Sequence, residues 1–193
     1  NVVSQQTPQI LSSLTPHKMI PVDLKTSINE DNQTKLFKIV VIGDSMGEGI
    51  AIGLARLKQK YPIKYKSFAK SSTTTFFWNK ELVQNQEITK FNPDLVLVAL
   101  GTNEWNGVSS GTKLRIMKIY NKLANLGIQS IWITPPVGNS TKFYEMVREV
   151  YGDQLYDARG LNVPRGPDKI HPTMKGYVTW ADDILQAMQI RKN

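Results

Sequence analysis

The strongest constraint on this chain is a pattern that repeats along it. Short runs of apolar, largely β-branched residues are each followed by a stretch whose apolar residues recur at three- and four-residue steps. Phe37–Ile42 is one such run, interrupted by a single lysine and closed by Gly43; Asp94–Leu100, entered from Pro93 and closed by Gly101, is another. Runs of this length without polar alternation are expected of strands buried on both faces. After the first, Met46, Ile50, Leu54, Leu57 and Tyr61 form an apolar stripe that predicts a helix over about 47–60, which Pro62 ends. Ile63–Ala69 alternates as a second strand, and a helix is expected around 79–90. Ile116, Ile119, Tyr120, Leu123 and Leu126 mark a helix closed by Gly127, and Ser130–Thr134 is the next strand. A helix over about 140–151, a short strand Gln154–Ala158 and a long terminal helix through Met174, Tyr177, Ala181, Ile184, Leu185 and Met188 complete the series.

Strands alternating with helices imply an α/β fold: three layers, α/β/α, around a mostly parallel five-stranded sheet. In such sheets ligands sit outside the carboxyl ends of the strands. The expected domain covers residues 36–193, and 193 residues fit a single core. Residues 1–35 carry Pro8, Pro16 and Pro21 among Ser, Thr, Gln and Asn and read as a tail or linker, with Leu14, Met19, Ile20 and Val22 as possible contacts with the domain. His17 falls in this tail and is assigned no role.

The charge of +8 is scattered, with no arginine-rich run, so it is read as a solubility feature and no nucleic-acid partner is expected. Lys58, Lys60, Lys64 and Lys66 form its densest stretch, read as a solvated helix end and an edge strand that lysines keep from pairing. Without cysteine there is no disulfide, thiolate metal site or cysteine nucleophile, a composition that fits a reducing cytosol or a cysteine-poor bacterial envelope. The chain starts at Asn1 rather than Met, from which a removed signal or anchor segment is expected, and with it a periplasmic or secreted location. No phosphate loop, His-Glu-x-x-His segment or His/Asp cluster occurs, so neither cofactor nor metal is expected.

Three segments bring polar residues to strand ends or to the start of the last helix: Gly43-Asp44-Ser45, Gly101-Thr102-Asn103-Glu104 and Asp168-Lys169-Ile170-His171. A serine at a helix start has an exposed hydroxyl near backbone N–H groups that favour negative charge. It needs a base, and His171 is one of only two histidines. Asp168, three residues earlier, is spaced to fold back on the imidazole, fix its tautomer and stabilise its charged form. Singly, Ser45 reads as a helix cap and Asn103 as a turn residue; the three blocks in order favour catalysis. Asp44, adjacent to the serine, is read as a structural carboxylate.

In order and spacing these blocks resemble the Gly-Asp-Ser, Gly-x-Asn-Asp and Asp-x-x-His blocks of the SGNH (GDSL-type) serine hydrolases, over residues 38–175. The resemblance implies a flavodoxin-like SGNH fold and a triad of Ser45, His171 and Asp168. It also implies an oxyanion hole built from the Ser45 N–H and the Asn103 side chain, with Ser72 as the best match for the third donor. There are two departures. Ser72 stands where the family usually has glycine, so if the glycine φ is required the loop must differ. Glu104 replaces an aspartate, so its local bond must be rearranged.

Trp105 and Trp78, in the loops after two strands, are candidate substrate-binding residues, with packing as the alternative; Trp132 and Trp180 are expected in the core. The implied activity is hydrolysis of short-chain, O-acetyl esters on an acylated carbohydrate or a small ester, through an acyl-Ser45 intermediate. An envelope polysaccharide or peptidoglycan is the expected carrier. Acyl transfer on the same fold, or a glycan-binding domain without turnover, are the alternatives.

Overall fold

The structure, a computed structural model, describes residues 19–22, 36–84, 86–104, 108–137 and 141–192. Five strands form one sheet: β1 (Phe37–Gly43), β2 (Ile63–Ser67), β3 (Leu95–Ala99), β4 (Gln129–Ile133) and β5 (Leu155–Tyr156). Their order is β2-β1-β3-β4-β5. The sheet is not mostly but wholly parallel, because every neighbouring pair runs the same way. β3 is buried at every position and β1 from Ile39 onward, which is why both read as unbroken apolar runs.

Successive residues of β1 and β3 point to opposite faces, and each face has its own core. Ile39, Val41, Leu95 and Leu97 pack with α1 (Ser45–Leu57) and α6 (Met174–Ala187). Val40, Ile42, Val96 and Val98 pack with α2 (Thr75–Gln84), α3 (Gln86–Phe91), α4 (Ser110–Asn125) and α5 (Thr141–Tyr151). The expected three layers are thus present, with Trp132 in one core and Trp180 in the other, both fully buried.

One expectation is corrected. The helix expected over 79–90 is two helices, and the first begins earlier, at Thr75. A run of threonines before two phenylalanines has no local reason to start a helix, but the Glu104 carboxylate accepts the Thr75 N–H at 2.6 Å and caps it from another loop. Of the tail residues expected to touch the domain, Ile20 and Val22 do so. Ile20 is buried and its N–H donates to the Ala187 carbonyl at the end of α6, while Val22 packs on the same core. The rest of the tail, His17 included, lies outside the described residues.

Candidate active site

The carboxyl ends of β1 and β3 bring the blocks together. Gly43 ends β1 at φ +150°, and a Cβ there would stand 2.1 Å from the Ala99 carbonyl oxygen of β3, so only glycine allows this approach. The chain then turns into α1. Asp44, not Ser45, is the N-cap: its Oδ1 accepts the Met46 N–H at 2.9 Å. Because Asp44 does the capping, the Ser45 hydroxyl is free for another partner. That partner is His171, whose Nε2 lies 2.9 Å from Ser45 Oγ across 126 residues of sequence.

Asp168 has two tasks, divided between its oxygens. Oδ1 accepts the N–H groups of Ile170 and His171, both at 3.0 Å, folding the turn over Lys169, which takes φ +58°. Oδ2 lies 2.6 Å from His171 Nδ1. The imidazole hydrogen bond, helped by the two N–H groups, holds the Asp168 carboxyl down at about 2, so it stays ionised at any ordinary pH. The turn is fastened below by Gly166 N–H on the His171 carbonyl and by Thr173 N–H on that of Pro164. Arg165 ties it to the loop after β4, donating to the carbonyls of Pro136 and Ile170.

Three candidate donors stand on the segments that follow the carboxyl ends of β1, β2 and β3. The Ser45 N–H opens a helix and has no acceptor within it. Ser72 occupies the third position of a turn closed by Thr73 N–H on the Lys70 carbonyl, with φ +63°. Serine therefore takes up the left-handed backbone that glycine adopts more easily, at a cost of about 1–2 kcal/mol, and the loop need not differ. Among the described residues neither the Ser45 nor the Ser72 N–H has a hydrogen-bond acceptor. Asn103 Nδ2 donates one hydrogen to the Thr73 carbonyl at 2.9 Å, which leaves its second amide hydrogen for a ligand.

The turn carrying Ser72 is clamped on both sides by carboxylates from other segments. Glu48, one turn into α1, accepts the Ser71 N–H and hydroxyl at 3.0 and 2.6 Å. Glu104 holds Thr75, whose hydroxyl also accepts from Arg115 Nε at 3.0 Å. The longer arm of Glu104 is what spans this gap, and its departure from aspartate was the one sign of it in the sequence. Nothing in local pattern pointed to Glu48, Arg115 or Arg165, since each acts across a loop.

Trp78 is not a substrate-binding residue. It is 1% exposed and lies under the site, its indole N–H donating to the Gly43 carbonyl and to Thr73 Oγ1, both at 3.0 Å. A buried indole needs such an acceptor, and supplying it fixes the ring in the core. Trp105 lies outside the described residues.

By sequence no curated protein matches this chain. By structure it is similar to a lipase/acylhydrolase from Enterococcus faecalis (18% identity, 82% of this chain and 98% of that one, TM-score 0.61). It is also similar to an acetylxylan esterase from Geobacillus stearothermophilus (14% identity, 80% and 96%, TM-score 0.63) and to an esterase from a Pseudoalteromonas species inhibited by monoethylphosphonate (16%, 79% and 96%, TM-score 0.62). Likeness at such identities establishes the fold, which is that of the GDSL (SGNH) lipases and esterases. A family profile described as "Protein of unknown function (DUF459)" matches residues 38–160, taking in the Ser45 and Asn103 blocks and ending before Asp168 and His171. The chain belongs to that DUF459 family, built on the SGNH hydrolase fold.

Proposed function

We propose that this protein is a serine esterase that removes short acyl groups, acetyl foremost, from a carbohydrate such as an envelope polysaccharide or peptidoglycan, acting in the periplasm or outside the cell. The observation that carries the reading is the unbroken line of hydrogen bonds Asp168–His171–Ser45; among the described residues the Ser45 and Ser72 N–H groups meet no acceptor, and Asn103 Nδ2 keeps one amide hydrogen. The site is open, with the His171 and Asp168 side chains 40% and 49% exposed, which suits an ester presented on a polymer. The fold likeness to an acetylxylan esterase agrees with a sugar-borne acetyl group.

His171 Nε2 takes the Ser45 proton as Oγ attacks the ester carbonyl, and Asp168 stabilises the imidazolium that results. The carbonyl oxygen becomes an oxyanion that the Ser45 and Ser72 N–H groups and Asn103 Nδ2 receive. Collapse breaks the bond to the alcohol, which leaves with the proton from His171, and the acyl group remains on Ser45. Water, deprotonated by His171, then releases the acid and restores the serine.

Hydrolysis of p-nitrophenyl acetate and of longer acyl esters tests this. Ser45→Ala and His171→Ala are each expected to lower kcat by about 10³-fold or more, with acetate the best wild-type substrate. Wild-type turnover no faster than that of the variants would overturn the reading.

A further inference from the structure

β2 is an outer strand, and beyond Ser67 the chain stays extended along β1, with the Phe68 and Lys70 N–H groups donating to the carbonyls of Val41 and Gly43 at 2.9 Å. Side chains therefore alternate between faces from Ile63 to Lys70. Tyr65 and Ser67 line a groove against α1, and Ala69 Cβ crowds the position a Cβ on Gly47 would take. Lys64, Lys66, Phe68 and Lys70 consequently form one row on the opposite face.

Each ammonium in that row lies over an aromatic ring. Lys64 Nζ is 6.0 Å from the Phe91 ring centroid, a ring it shares with Lys38 from the neighbouring strand. Lys66 lies 5.0 Å from Phe68, Lys70 5.4 Å from Phe77, and Lys80 on α2 4.3 Å from Phe76. Glu87 answers Lys66 and Lys90, but among the described residues Lys64, Lys70 and Lys80 meet no carboxylate. The row climbs toward the carboxyl ends of the strands, and Lys70 directly precedes the Ser71-Ser72 turn.

Lysines on an edge strand discourage pairing, which accounts for Lys64 and Lys66. It does not account for the continuation through Lys70, beside the Ser71-Ser72 turn, to Lys80 on α2, or for rings that hold the ammonium groups in place before any anion arrives. We propose that this row is a track for an anionic polysaccharide, a chain with carboxylates along its length, whose acyl esters it leads to Ser45. The inference rests on the esterase reading. A nucleic acid fits less well: it carries no carboxylic ester, and the rings on which bases would stack are already covered by lysines.

Binding is tested with Ser45→Ala protein titrated by polygalacturonate and by neutral xylan at about 50 and 200 mM salt. Polygalacturonate is expected to bind and xylan not, with affinity falling roughly tenfold on raising the salt and again in a Lys64→Glu/Lys80→Glu background. With Ser45 restored, the double substitution is expected to lower kcat/KM on acetylated polygalacturonate by a similar factor relative to kcat/KM on p-nitrophenyl acetate. No polygalacturonate binding at low salt, equal binding by the charge-reversed variant, or single-stranded DNA bound as tightly through the same lysines would each overturn the proposal. Polyuronate binding without ester turnover by the intact serine would leave the track standing and overturn the esterase reading instead.

Discussion

Asp44 has one carboxylate oxygen on the Met46 N–H and the other enclosed without a well-formed hydrogen bond. Burial pushes its carboxyl up to about 6, against the opposing pull of hydrogen bonds from Met46 and Thr102 and the nearby His171 charge. An acid whose folded value lies above its unfolded one binds its proton more tightly when folded. Its ionisation therefore costs stability, and the cost grows as pH rises from about 4 to about 6 and stays level above that. Asp44→Asn, which keeps an acceptor for Met46 without the charge, is expected to stabilise the protein by roughly 2–3 kcal/mol at pH 8 and by almost nothing at pH 4. Chemical denaturation at the two pH values measures it, and an equal gain at both would show that ionisation is not the cause. Residues of this kind divide by how far their reasons lie along the chain. Ser45, Asp168 and His171 were legible because each stands in a short block with its own chemistry. The left-handed Ser72 was not, because its neighbours Ser71 and Thr75 are held by Glu48 and Glu104 from two other segments.

At the level of elements, the serine and the histidine are carried by α1 and by the turn that enters α6, so how these helices meet decides whether the site exists. They meet through glycine. A Cβ on Gly53 would stand 2.5 Å from the Tyr177 carbonyl oxygen and 2.6 Å from Ala181 Cβ, and one on Gly49 would enter the Tyr177 ring. In an open helix Gly53→Ala would gain about 1 kcal/mol from propensity. Here it is expected to cost about 1–3 kcal/mol, because a backbone carbonyl must move, and to lower kcat as Ser45 is displaced from His171. Urea titration and ester turnover on the same sample check both parts. The two helices themselves were readable from their apolar periodicity, as were β1 and β3 from their unbroken runs. The start of α2 was not, since its cap comes from Glu104 in another loop.

Across the whole molecule, the layers and the site's rim follow from the series of strands and helices legible in the chain, while most closing contacts come from outside any local pattern. Ile20 is an intermediate case. It lies in a stretch that reads as a polar, proline-bearing tail, where its apolar side chain stands out as a possible contact, and it is 2% exposed and hydrogen-bonded to the end of α6. Ile20→Ala is expected to cost about 2–4 kcal/mol by emptying that seat, and thermal or chemical unfolding will show it; a change below about 0.5 kcal/mol would mean that the segment does not bear on the core. The same geography has a consequence in time. Ser45 leaves a ribosome 126 residues before His171, which stands on the turn that enters α6. During synthesis the growing chain thus carries Ser45 without its hydrogen-bond partner, and a polypeptide cut short before His171 cannot form the Asp168–His171–Ser45 line.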